Sequence, residues 1–249
     1  MPRMTQDRRG DISEAALQNV IDLMETSSWR DVFATSNDPD VVRAFRFVAN
    51  RNRTAWQYFL PSGSGRSALC VGEALGATAD ALSRNYASVV ALEPSPSRVR
   101  FMRLRFSQDR IYNVRIVRGA FADLPFGPRS FDLVAFNGAI VPLSGLRRAF
   151  ELLRPNGHLF VCVDRRRSRG YRRLLRRAGF TTVQLFMAID SCDEPEFIVP
   201  IDGAPSRFFF RQFDVAVRPL HRLVLRWTAD RLGILGRLRR SFMLTATRP

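Results

Sequence analysis

Short continuous apolar runs alternate along this chain with stretches whose apolar positions recur at helical spacing. The runs predict strands over 68–72, 88–93, 113–117, 131–137, 158–164 and 182–189. The amphipathic stretches predict helices over 78–85, 97–108, 143–153 and 168–178. Such alternation argues for a parallel sheet joined by right-handed crossovers. Ahead of this core, residues 11–27 carry Ile12, Ala16, Leu17, Val20, Leu23 and Met24 at helical spacing, with Asp11 or Ser13 as a cap. A second helix is predicted over 40–60, and Pro61-Ser62-Gly63-Ser64-Gly65 reads as a joint before the core.

The first strand-turn-helix-strand unit points to a ligand. Ala68-Leu69-Cys70-Val71 is apolar throughout, as a strand covered on both faces should be. Gly72-Glu73-Ala74-Leu75-Gly76 follows, then a short helix with Thr78 as its candidate cap, then a second run ending at Glu93. An acid about 20 residues after the first glycine, at the tip of the second strand, is placed to take a ribose diol. Two glycine spacings stay open. G-x-G-x-x-G/A aligns Gly72, Ala74 and Ala77 and suits a pyrophosphate at the helix N-terminus. G-x-G-x-G aligns Gly72, Ala74 and Gly76, gives Gly76 a role, and suits a ligand without pyrophosphate. Each misses once, at Ala74.

Composition narrows the chemistry. A chain of 249 residues with 46% hydrophobic content can bury one good core and a small extra element. The polar, arginine-bearing start shows no secretory signal, and no run is long enough to span a bilayer, so a cytoplasmic protein is expected. Cys70, Cys162 and Cys192 read as free thiols of a reducing compartment. The net charge is +16, yet all 39 basic residues are arginine. With no lysine there is no Walker A lysine, no Schiff base and no S-x-x-K pair. Only two histidines occur; His158, before the fifth strand, reads as structural, and a His/Cys metal site is not expected.

Further motifs follow in order. Gly119-Ala120-Phe121-Ala122-Asp123-Leu124-Pro125-Phe126 precedes Ser130-Phe131-Asp132-Leu133-Val134. Then come Leu152-Leu153-Arg154-Pro155-Asn156-Gly157-His158-Leu159 and Ala178-Gly179-Phe180. In this order and spacing, 67–189 resembles the class I S-adenosylmethionine-dependent methyltransferases, and 241–247 is similar to their final strand. A narrower likeness, to bacterial glycan-pathway methyltransferases, rests on Val89-Val90-Ala91-Leu92-Glu93, on Asn137-Gly138, and on Glu194-Pro195-Glu196-Phe197-Ile198-Val199-Pro200. The resemblance implies an α/β, Rossmann-like fold: a seven-stranded, mostly parallel sheet whose last strand is antiparallel. It divides the chain into an N-terminal helical cap (1–64), a cofactor-binding core (65–189 and 241–249) and a helical insertion (190–240). In the family such N-terminal helices cover the cofactor cleft.

The resemblance also assigns roles around S-adenosylmethionine. Gly72, Glu73, Ala74 and Gly76 would form the turn that lets the backbone pass close to it. Glu93 would hold both ribose hydroxyls, with Pro94 beside it. Ala120 and Phe121 would flank the adenine, and Asn137 and Gly138 would lie near the methionine end. Cys70, Ala74 and Ala120 depart from the family's usual residues, so an inactive, partner-binding relative is an alternative reading; a nicotinamide-dependent oxidoreductase is a third. For a hydroxyl acceptor a base is needed. Asp164 is the first candidate, and the group Asp190, Asp193, Glu194 and Glu196 the second. Arginines cluster over 165–177 and through the insertion, which reads as two helices over the cleft. They suit solvated faces, or an anionic membrane surface, or a lipid-linked or phosphorylated acceptor; the acceptor expected is a small molecule or a glycan or lipid-linked molecule methylated on a hydroxyl. Nucleic acid is disfavoured, since a basic balance alone is a weak footprint and no RNA-binding motif with aromatic stacking residues is seen; Asn137-Gly138-Ala139-Ile140, in place of an Asn-Pro-Pro-Tyr-like stretch, argues against amino-methylation of adenine.

Overall fold

A computed structural model of the chain describes residues 12–61, 65–72, 75–137, 141–188, 195, 198–200 and 241–249. Every predicted strand is present. They are β1 (Ser67–Val71), β2 (Ser88–Glu93), β3 (Val114–Arg118), β4 (Phe131–Phe136), β5 (Leu153–Asp164), β6 (Val183–Ala188) and, last in the chain, β8 (Ser241–Thr247). One short strand, β7 (Ile198–Pro200), is additional and pairs antiparallel with β6 at the sheet edge. The order is β3-β2-β1-β4-β5-β8-β6-β7. Strands β1 to β5 are mutually parallel, and β8 runs antiparallel between β5 and β6. The chain reverses direction of travel across the sheet between β1 and β4, which creates a crevice at the carboxyl ends of these strands.

Helices cover both faces, which is why the middles of β1 (68–71), β2 (89–92) and β4 (133–136) are apolar without a break. On one face Ala68, Cys70, Ala91, Ala135 and Phe160 meet α4 (Ala77–Ser83), α5 (Pro96–Gln108) and the N-terminal segment. On the other, Leu69, Val71, Val134, Phe136 and Val161 meet α6 (Leu143–Leu152) and α7 (Arg165–Arg177). The N-terminal segment comprises α1 (Glu14–Leu23), α2 (Trp29–Thr35), α3 (Pro39–Ala49) and a 3-10 helix (Arg51–Phe59). Ser13 caps α1 by accepting from the Ala16 N–H. Trp56 stacks on Phe160 of β5 with ring centroids 3.8 Å apart, so this segment shares the core of the sheet.

Three local expectations are corrected. Residues 40–60 are not one helix: Asn50 ends α3, and its side chain accepts from the Asn52 N–H to start the 3-10 turn. Thr78 is not a cap but a buried residue inside α4, whose N-cap is Gly76 in a left-handed conformation. Helix α2 was not foreseen; Ser28 caps it at the Asp31 N–H. The two helices read over 190–240, and Cys192, lie outside the described residues.

His158 lies within β5 rather than in a turn before it, and its Nδ1 is 3.2 Å from the Thr247 hydroxyl of β8. Burial, and then the Arg66 charge, hold its pKa below the ordinary value. Protonation therefore favours the unfolded chain. The stabilisation from a neutral His158 is complete above about pH 6.5 and is lost as pH falls through the lowered pKa. The melting temperature of a His158→Asn variant is expected to fall less steeply than wild type on acidification from pH 7 to 5. Parallel slopes would show that His158 does not couple to folding.

Candidate functional site

The strand registers bring the predicted residues to one rim. Val71 pairs with Leu92 and with Phe136, so Gly72, Glu93 and Asn137 follow at the same level on three neighbouring strands. Hydrogen bonds fix that level: the Gly72 N–H donates to Leu92, and the Asn137 N–H to Val71. The Gly119 N–H donates to the Glu93 carbonyl, which brings the start of Gly119-Ala120-Phe121 to the same edge.

Gly72 has φ +76, and a Cβ built there would lie 2.9 Å from the Asn137 carbonyl oxygen. Its lack of a side chain is therefore needed by the protein itself, to let the ends of β1 and β4 approach. Gly76 is also left-handed, and its Cβ would strike Phe106 and Met102 of α5. Both glycines thus turn their would-be side chains inward against protein. Glu73 and Ala74, between them, lie outside the described residues, as does Gly138.

Glu93 is 2% exposed. Its carboxylate accepts the Ser95 N–H at 3.0 Å, and Ser95 in turn caps α5. A carboxylate has lone pairs enough to serve a diol in addition to that amide. Pro94 and Ala120 are exposed at the start of their connections. Phe121 is half-buried in a one-turn 3-10 helix, with its ring 4.9 Å from Phe136, edge to face. Asp164 ends β5. Its backbone pairs with Ser241, and because Phe136 pairs with Val161, it stands beyond the level of Asn137 by two residues, about 7 Å. The second base candidates, Asp190, Asp193, Glu194 and Glu196, lie outside the described residues.

Two residues that hold the rim carry no signal in the sequence beyond burial. Tyr171 of α7 is buried; its hydroxyl accepts the Val141 N–H at 2.6 Å and donates to the Val141 carbonyl at 2.9 Å. It clamps the end of the connection leaving β4. Only its place on the apolar stripe with Leu175 and Ala178 hinted at an inward position. Arg105 of α5 is 1% exposed and donates to the Leu75 carbonyl inside the glycine turn.

The fold is that of the class I methyltransferases. It resembles an S-adenosylmethionine-dependent methyltransferase from Thermotoga maritima at 16% identity and TM-score 0.53, over 89% of this chain and 100% of that one. It is similar to one from Aquifex aeolicus at 12% identity and TM-score 0.52, over 88% and 98% of the two chains. It is also similar to phosphoethanolamine N-methyltransferase 2 of Haemonchus contortus, solved with S-adenosyl-L-methionine, at 15% identity and TM-score 0.56, over 96% of this chain and 61% of that one. No curated protein matches the chain. Residues 68–157 match a family model described as a methyltransferase domain. The matched segment thus reads as a methyltransferase domain, and the fold around it is one shared with S-adenosylmethionine-dependent methyltransferases of solved structure.

Proposed function

We propose that this protein methylates a hydroxyl group of an anionic, phosphate-bearing glycan or lipid-linked acceptor, with S-adenosylmethionine as donor. The observation that carries the cofactor half is the rim itself: a left-handed glycine turn, a buried carboxylate and Asn137 at one level on adjacent strands. The residues fit the donor. Glu93 holds the ribose hydroxyls, Gly72 and Gly76 bring backbone without side chains to the rim, and Phe121 gives an apolar edge for the base. When bound, the cofactor supplies a methyl group already activated on sulfur, so alignment provides much of the rate. The protein's remaining task is to place the acceptor and take its proton, and Asp164 is the carboxylate assigned to that.

The acceptor half rests on α7. This helix starts at Arg165, directly after Asp164 at the carboxyl end of β5, so the run Arg165-Arg166-Arg167 begins on the same side of the sheet as the cofactor rim. Farther along, Arg173, Arg176 and Arg177 are exposed. Guanidinium groups favour phosphate. Among the described residues no helix is long and apolar enough to cross a membrane. A peripheral position on the anionic inner face of the membrane would bring such arginines to lipid-linked acceptors.

The test is transfer of labelled methyl from S-adenosylmethionine into a cell-envelope extract. A base-stable methyl ether on a phosphate-bearing glycan is expected. Label recovered only as an ester or on nitrogen would overturn the hydroxyl assignment, and label confined to uncharged acceptors would overturn the anionic one.

A further inference from the structure

We infer that Arg105 is a positioning residue for the cofactor site: it fixes the glycine turn across the left-handed joint at Gly76. The inference rests on reading that turn as cofactor-binding.

The start of α4 lacks the usual restraint. Its N-cap is Gly76, which has no side chain to bond the first-turn amides. A glycine at φ +77 is also the position where the chain can swing most easily. One guanidinium spans this joint. Arg105 Nη1 donates to the Leu75 carbonyl at 2.8 Å, on the turn side of Gly76. Arg105 Nη2 meets the Asp80 carboxylate at 2.5 Å, on the helix side. Because the fork is planar and rigid, the two bonds together set the angle between turn and helix. Both Leu75 and the Arg105 side chain are buried, so the carbonyl has exchanged water for this partner.

The arginine is itself held in a slot. Trp29 of α2 lies against its guanidinium, 4.9 Å from ring centroid to Cζ, and Asp109 lies 3.8 Å from Nε. Trp29 is fixed in turn: its indole N–H donates to Asp109 at 3.0 Å and its backbone N–H to Gln108 at 2.8 Å. Trp29 touches the arginine but, among the described residues, makes no bond to the turn. It therefore separates stability from positioning.

The experiment is calorimetric titration with S-adenosylhomocysteine, below the melting transition, of wild type, Arg105→Lys, Asp80→Asn and Trp29→Phe. Lysine keeps the charge but cannot bond carbonyl and carboxylate as a fork. Its Kd is expected to rise about tenfold, the loss of one charge-assisted hydrogen bond. Asp80→Asn, which leaves the Leu75 arm in place and weakens the helix-side arm together with the exposed Arg84–Asp80 pair, should raise Kd about threefold. Trp29→Phe should lower the melting temperature and leave Kd within twofold, which a purely structural role for the cluster would not predict. Wild-type affinity in folded Arg105→Lys overturns the inference; where that variant does not fold, wild-type affinity in Asp80→Asn does so. Wild type that fails to bind S-adenosylhomocysteine sinks the cofactor reading together with this one, a result distinct from binding that ignores Arg105.

Discussion

Replacing Gly72 with valine is expected to lower the melting temperature by roughly 6–12 °C and to abolish cofactor binding. Two costs add. A β-branched residue at φ +76 sits where L-residues are strained, at about 1–3 kcal/mol. Its Cβ would also meet the Asn137 carbonyl at 2.9 Å, and that carbonyl belongs to backbone that is itself hydrogen-bonded to β1. Neither strand end can yield without breaking the Gly72–Leu92 or Asn137–Val71 bond. A total of about 3 kcal/mol, at about 2–4 °C per kcal/mol for a chain of this size, gives the stated shift. Gly72→Ala should fall between, since it carries the clash and the strain without the branch. Thermal melts followed by titration decide the matter, and a valine variant that melts and binds like wild type would show that β1 and β4 do not meet as described.

Glu93→Ala should weaken S-adenosylhomocysteine binding by about 1.5–3 kcal/mol, roughly ten- to hundredfold in Kd, the size of hydrogen bonds to a charged group. The buried carboxylate also accepts the Ser95 N–H at the start of α5, so the alanine variant loses some stability as well. Glu93→Gln separates the two effects. Its amide oxygen can still accept from Ser95, while its uncharged head serves the ribose less well. Melting near wild type with weakened binding is the expected pattern for glutamine. An unchanged Kd in a folded alanine variant would remove Glu93 from the ribose role.

The centre of the sheet was legible because β1, β2 and β4 are buried on both faces and appear as nearly unbroken apolar runs, whereas the edge strand β3 alternates with arginine. β2 is read residue for residue, and the level of Gly72 and Glu93 follows from counting along two adjacent strands. What escaped was chemistry that depends on partners distant in sequence. Arg105 is one arginine among 39, and its value comes from the Leu75 carbonyl 30 positions away. Helix α2 has seven residues, too few to show a period. Thr78 looked like a cap because threonine suits that place, but the chain used the left-handed freedom of Gly76 instead. β7 pairs over three residues only, beyond what an apolar run could announce.

The family match begins at residue 68, but the cooperative body of the protein begins earlier. Leu17, Val20, Trp29, Phe33 and Trp56 are buried in one continuous cluster with Phe101 and Phe160. A truncation that keeps only the recognisable domain would strip Trp56 from Phe160 and Phe33 from Phe101, leaving aromatic rings facing water. The matched segment is therefore not a self-sufficient folding unit: its outer face is covered by the helices ahead of it, and a fragment made without them is expected to expose the kind of apolar patch that drives aggregation.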